Sequence, residues 1–516
     1  MFDNFISIMI FVPILAGLAL FILPLSREAA RIIGLAVSVV VVMLGVKLFL
    51  SFDGSSGAFE FVEHAWLNES LGIAYSLGVD GISILVLAAA ATLFPMVYLL
   101  FETKAKGYYA NLLIVQGAMI GAVAATDMVL FYVFWELMLL PIFFMIGLYG
   151  GPKRLPATIK ITIYTIAGSL LMLAAIIYLG IAYQAQTGTW SFAMANLGSM
   201  ALSGPVATAA FIGFMIAFAI KIPLFPFHTW LPDAYTEAPT ATTFVLSAVM
   251  AKIGVYGVIR FVVPVFDESF VRYALILACS GVIGMMYCGI AALAQKDLKR
   301  MLAFSSASHM GIIALGIFCM NLQALTGTLY QIVAHATSTG VLFLLLGLIE
   351  ERTESRNIDD FGGMAAQAPV FAVFFAVAML ASVGLPGTSG FIGEFLIILG
   401  AVKFSPVIGA LAGTTLIIGV CYMLFLFQRV FFEKPSAKLA GFSELSAIEI
   451  LTILPIVILI VFMGIFPQPF IAKIVPTAER QMALISTEMT IAQPEMHIVQ
   501  NQNEAVKPGL ELNRGD

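Results

Sequence analysis

Six titratable residues stand where a chain ordinarily keeps no charge. Glu136, Lys221, Lys252, His309, His335 and Glu394 each fall well inside a long apolar run. At about 1.5 Å of helix rise per residue, a residue in mid-run lies ~13–18 Å from either end. Charge at bilayer depth costs several kcal/mol and is kept mainly for moving ions or protons. A histidine there can simply hydrogen-bond a neighbouring helix. A lysine cannot easily snorkel to water from the centre, so Lys221 and Lys252 each need a carboxylate or a wet cavity. Glu136 supplies a counter-ion for Lys221. A buried pair of this kind is strongly coupled, and a lysine whose hold on a proton depends on its partner can act as a loading switch.

The elements that place these groups are long and apolar. Of 516 residues 61% are hydrophobic and only 11% charged, too few charges for a soluble surface of this size. Runs near 20 residues, the length a spanning helix needs, occur at 4–24, 30–50, 78–101, 109–126, 128–149, 157–183, 207–232, 240–263, 270–294, 299–320, 324–349, 370–402, 405–430 and 447–470. The chain is therefore expected to be an all-α polytopic membrane protein with about 14 transmembrane helices. The first run is too long for a signal-peptide core and lacks a basic leader, so it reads as a spanning helix.

Alternate loops collect the basic residues: Arg27 and Arg31; Lys104 and Lys106; Lys153 and Arg154; Lys296, Lys299 and Arg300; Arg352 and Arg356; Lys434 and Lys438. The intervening loops are nearly free of them. Fourteen spans put every basic loop on one side, which the positive-inside rule makes cytoplasmic. Both termini then lie outside, on the periplasmic side of a bacterial inner membrane.

Two runs carry breaking signals at the depth of the charges. Pro223 and Pro226 follow Lys221, and the stretch Gly384-Leu385-Pro386-Gly387 precedes Glu394. Broken helices in matching places of two halves mark inverted-repeat transporters. The breaks are five helices apart, an odd spacing that inverts the second unit. The expected organisation is helices 1–3 (1–105), a first repeat of helices 4–8 (106–265), an inverted repeat of helices 9–13 (266–435), a last helix (436–475) and a polar tail (476–516) that is partly disordered or docks on a neighbour.

Other polar groups lie nearer the ends. His228, Asp233 and Glu237 sit towards the inner surface, where the two carboxylates feed protons inward or cap the eighth helix. The cluster from Glu350 to Asp360 reads as a solvated loop or one at a subunit contact. Cys279, Cys288, Cys319 and Cys421 show no metal-ligand spacing and read as packing residues. With no dinucleotide fingerprint or Walker loop, the chain is expected to carry no nucleotide, flavin, haem, iron–sulfur cluster or metal of its own.

Four stretches carry a family resemblance: Phe134-Trp135-Glu136-Leu137, the segment from Lys221 to Pro239, Ser305 to Gly311, and Gly384 to Phe395. Together with Gly78 to Ser83 they resemble the antiporter-like subunits of respiratory complex I, over about residues 75–470. The resemblance implies a proton-translocating membrane-arm subunit of the proton-pumping NADH:quinone oxidoreductase that performs no redox step itself. NAD, FMN, iron–sulfur clusters and quinone then belong to partner subunits. Glu136 takes the place of the fifth-helix glutamate that pairs with the seventh-helix lysine, here Lys221. Lys252 matches the eighth-helix relay lysine, and His309 and His335 fall at the central connecting positions. Glu394 stands where two of the three antiporter-like subunit types carry lysine and the third carries glutamate, which points to the third. The partners implied are the other membrane-arm subunits, especially the L-like and N-like ones, with the lipid bilayer and protons; nucleic acid is not among them. Mrp-type sodium/proton antiporters and membrane hydrogenases share the fold and several motifs. A passive scaffold, whose charges only hold helices together, is the reading from another class.

Overall fold

The computed structural model describes residues 4–102, 105–439, 441–483 and 485. Among them thirteen helices are long and apolar enough to cross a membrane. A further crossing is divided into two shorter helices, Pro369–Ser382 and Ser389–Phe404, which gives fourteen passes. The chain is a multi-pass membrane protein with two additions. One is an antiparallel hairpin, β1 (Glu60–Asn68) and β2 (Ile73–Val79), between the second and third passes. The other is a helical stretch at 468–483. The third helix accordingly starts at Ser83, and Gly78 and Val79 belong to β2.

The hairpin closes one end of the bundle. Buried Glu63 accepts from Ile6 N at 2.7 Å and from Ser7 N at 3.2 Å, satisfying two of the orphan donors that open the first helix. The 476–483 part of the expected tail is helical and packs on its own chain: Thr477 is buried and its Oγ1 accepts from Gly81 N at 3.0 Å. Residues 486–516 and Lys104 lie outside the described residues.

Three interruptions aim the charged side chains. In the fifth pass, Met128–Tyr149, the helix breaks at Met138 and restarts at Leu139. Pro141 has no N–H to give the Leu137 carbonyl, so the bend falls beside Glu136. In the seventh pass the helix ends at Lys221. Pro223 cannot serve the Ala219 carbonyl, so Leu224 N donates to it instead at 2.7 Å, and the Trp230 indole donates to the freed Ile220 carbonyl at 2.8 Å. Both carbonyls are thus paired inside protein, as backbone at membrane depth requires. In the twelfth pass the break holds Gly384 at φ +70° and Gly387 at φ +93°, where a side chain would be strained. A Cβ on Gly384 would also sit 2.8 Å from Glu394 Oε2.

The eighth pass, Thr240–Val265, is buried from Ala241 to Val263. Two π-helical turns, Leu246–Met250 and Val258–Val262, flank the short α-helix Ala251–Gly257 that carries Lys252. Such widened turns recur at functional sites because they free backbone carbonyls.

Candidate functional site

Lys221, Lys252, His309, His335 and Glu394 are all buried, and Glu136 is half-buried. The five buried groups are turned into the bundle. All six residues fall into two groups.

The first group is Glu136, Lys221 and Trp135. Lys221 Nζ has no hydrogen-bond partner and lies over the Trp135 ring, 4.7 Å from its centroid. Glu136 Oε1 is likewise buried without a partner. The expected pair is near enough to interact through charge but is open, and a cation–π contact holds the ammonium in the meantime. Trp135 was legible only as part of the motif around Glu136.

The second group is continuous. Lys252 Nζ donates to the Ser247 carbonyl, freed by the π turn, and to His335 Nδ1 at 2.8 Å. The His335 and His309 rings stand 5.4 Å apart, tilted by 45°. His309 Nδ1 meets Glu394 Oε1 at 3.0 Å, and Gln331 Nε2 donates to the same oxygen at 3.2 Å. These partners assign the tautomers. An ammonium donating to His335 Nδ1 leaves the proton on Nε2. A carboxylate accepting from His309 Nδ1 leaves Nε2 as an acceptor. Both Nε2 atoms are buried and unpartnered, one able to give and the other to take. From lysine to carboxylate the four side chains thus form one buried polar line with two imidazoles at its centre.

Sequence reading missed Gln331. Its signal was the i, i+4 spacing to His335, which places both on one helix face. A small cavity of about 10 Å³, close to the lower limit for one water, adjoins His309, Glu394 and Tyr422.

The groups near the basic loops do different work from that expected. His228 is buried against Phe225 and Tyr287, at 5.5 and 5.1 Å between ring centroids. Glu237 does not cap the eighth helix: its carboxylate accepts from Lys153 N at 2.8 Å, at the start of the sixth. The eighth begins at Thr240, preceded by Pro239, with no side-chain cap. Asp233 bridges Lys160 at 2.8 Å and Arg300 at 2.9 Å. Burial alone would raise the Asp233 carboxyl, but the hydrogen bonds from Lys160 and Arg300 outweigh it and hold the group below its ordinary range. The Glu350–Asp360 cluster is not simply solvated: Glu350 meets Lys299 at 3.5 Å and Arg356 at 3.7 Å. Lys160, Asp233, Glu237, Arg300 and Arg356 border a cleft of about 570 Å³ on the basic-loop side. Cys288 and Cys319 are buried, whereas Cys279 and Cys421 are exposed on the bundle's outer face. Among the described residues no group of three His, Cys, Asp or Glu side chains could hold a metal ion.

Residues 125–419 match the family described as NADH:quinone oxidoreductase/Mrp antiporter, transmembrane. The chain is 36% identical over 477 residues to NADH-quinone oxidoreductase subunit M of Rickettsia bellii, covering 90% of this chain and 95% of that one. It is 34% identical over 522 residues to the subunit of the same name from Mycobacterium tuberculosis, covering 93% and 94%. Among solved structures, a chain of respiratory complex I from Thermus thermophilus with bound NADH superposes with a TM-score of 0.86 at 34% identity, over 93% of this chain and 99% of that one. A chain of the Mrp complex from a Dietzia species superposes at 0.83 over 94% and 100%, but at 20% identity it shares the fold alone.

Proposed function

The chain belongs to the NADH:quinone oxidoreductase/Mrp antiporter family as an M-type proton-translocating subunit of the complex I membrane arm, and we propose that its protons travel along the buried line from Glu136 and Lys221 through Lys252, His335 and His309 to Glu394. The observation that carries this route is the relay from Lys252 to Glu394, with a donor and an acceptor nitrogen left open at its centre.

Redox steps take place in other subunits, where NADH, FMN, iron–sulfur clusters and quinone would sit. Here the work is electrostatic. While Lys221 is closed on Glu136 its charge is compensated; when the pair opens, the uncompensated positive charge of Lys221 repels the proton on Lys252 and loosens it. Lys252 then gives its proton to His335 Nδ1, His335 Nε2–H passes one to His309 Nε2, and His309 Nδ1–H protonates Glu394. An ammonium and a carboxylate become an amine and a carboxylic acid, a neutralisation that a low-dielectric interior favours.

On this reading residues 106–265 and 266–435 are inverted repeats, each with one broken helix. The hairpin end, where both ends of the described chain lie, is periplasmic in a bacterial inner membrane, and the basic-loop cleft faces the cytoplasm. The L-like and N-like subunits are the neighbours. The Mrp-type antiporter reading has fold-level likeness but lacks the sequence identity seen with M subunits. The direct test is His335→Leu in the assembled complex. NADH-driven acidification of inverted membrane vesicles should fall severalfold; unchanged acidification would overturn the route.

A further inference from the structure

One buried ion pair has no part in this relay. Arg260 lies in the second π turn of the eighth pass and grips Asp80, at the mouth of the third, through two nitrogens, with one contact at 2.7 Å. Both residues are buried. Arg260 Nε also donates to the Tyr256 hydroxyl at 3.1 Å, and the guanidinium lies 4.9 Å from the Phe59 ring centroid and 5.2 Å from that of Tyr256. Asp80 Oδ1 is further engaged by Ile82 N at 3.0 Å and Ser83 N at 3.1 Å. The Ile259 carbonyl accepts from Gln481 Nε2 at 3.3 Å, so the 468–483 helix backs the same turn.

Lys252, Tyr256 and Arg260 recur at every fourth residue. They form a polar strip from mid-membrane towards the hairpin end, roughly 12 Å long at helical rise. Along that strip a proton on Lys252 could escape without crossing to His335, and the escape would waste the stroke. The group at its end is no proton carrier. Guanidinium stays charged at every working pH, has five donors and no acceptor, and as a fixed cation repels an approaching proton. Asp80, which could accept one, is held as the charge partner of Arg260, and its Oδ1 already accepts from Arg260, Ile82 N and Ser83 N.

We propose that the Asp80–Arg260 pair is a proton seal, closing the hairpin end of the eighth pass so that a proton loaded on Lys252 leaves only sideways. The proposal rests on Lys252 being a relay group.

The test uses vesicles holding the assembled complex. An imposed pH gradient is followed without NADH, and NADH:quinone turnover is measured separately. The double variant Asp80→Asn/Arg260→Gln leaves no unpaired buried charge. It should dissipate the gradient severalfold faster than wild type at unchanged turnover, and adding Lys252→Ala should restore tightness. Arg260→Lys, which keeps a fixed cation, should remain tight. A double variant as tight as wild type, or a leak that survives Lys252→Ala, would overturn the seal. Should the double variant not assemble, Arg260→His provides the same test: leak at alkaline pH, where imidazole is neutral, and tightness at acid pH, with a pH-independent result counting against the seal. Failure of the relay itself would show differently, as full NADH-driven pumping in Lys252→Ala alone.

Discussion

Lys221 rests against the ring of Trp135, its ammonium 4.7 Å from the centroid, and makes no hydrogen bond, although Glu136 is the very next residue along that helix. A desolvated cation–π contact is worth about 2 kcal/mol. Contact with a carboxylate in the same interior is stronger per ångström but carries a desolvation cost for both charges. On the proposed route these two neighbouring partners make the lysine a two-position element, which is what a switch needs.

Removing either end of that element should stop the switch without unmaking the fold. Glu136→Ala and Lys221→Ala should assemble to normal levels and lose most NADH-driven proton uptake by inverted vesicles. Full uptake in both would end the assigned roles. Normal uptake with assembly lost would instead support a purely structural use of these charges.

Gln331 makes a sharper point about the carboxylate end. Gln331→Leu leaves Glu394 Oε1 with His309 alone, and depriving a buried charged acceptor of a donor costs about 1–3 kcal/mol. Proton uptake should drop severalfold while the amount of assembled complex stays constant. If uptake is unaltered, Gln331 does not tune the relay.

Packing between the seventh and eighth passes sets where Lys221 stands relative to Lys252. A Cβ on Gly254 would sit 2.9 Å from Ile222 Cγ1 and 3.1 Å from Lys221 Cβ. Gly254→Ala should therefore wedge the two helices apart at about 1–3 kcal/mol of strain and lower the thermal stability of the complex in detergent. It should also reduce the protons moved per NADH oxidised. A variant with wild-type stability and stoichiometry would show that the two helices give way freely there.

Asp233 governs an acid limb. Its carboxyl is held below its ordinary value by Lys160 and Arg300, so the folded state binds a proton less readily than the unfolded chain. The contribution to stability is complete above the unfolded value of about 4 and disappears as pH falls through the lower folded value. Asp233→Asn should flatten the decline of melting temperature in that range. An identical pH profile for variant and wild type would remove Asp233 from the balance.

The spans were legible because twenty-residue apolar runs leave little choice of structure, and the charges stood out because their cost inside lipid is high. Pro223 and Pro386 announced the two breaks through the donors they lack. The hairpin went unread because the mostly exposed β1 carries Glu60, Glu63 and His64 and resembles a polar loop, and only pairing with β2 reveals it. Arg260 escaped notice because it lies near a helix end, where an arginine ordinarily reaches water; burial against Asp80 is a tertiary fact. Lateral proximity of Lys252, His335, His309 and Glu394 likewise required four helices to be packed, since depth follows from sequence but neighbourhood does not.

The two unpartnered Nε2 nitrogens have a consequence for timing. Once a proton has passed, each imidazole carries its hydrogen on the opposite nitrogen from the one it started with. The route is then facing backwards, and nothing further can follow until both rings turn over or exchange tautomers. On the proposed route, conduction through this midpoint is thus discrete, a single-shot device that must be recocked before each firing, and continuous flow is forbidden by the same geometry that permits the first transfer.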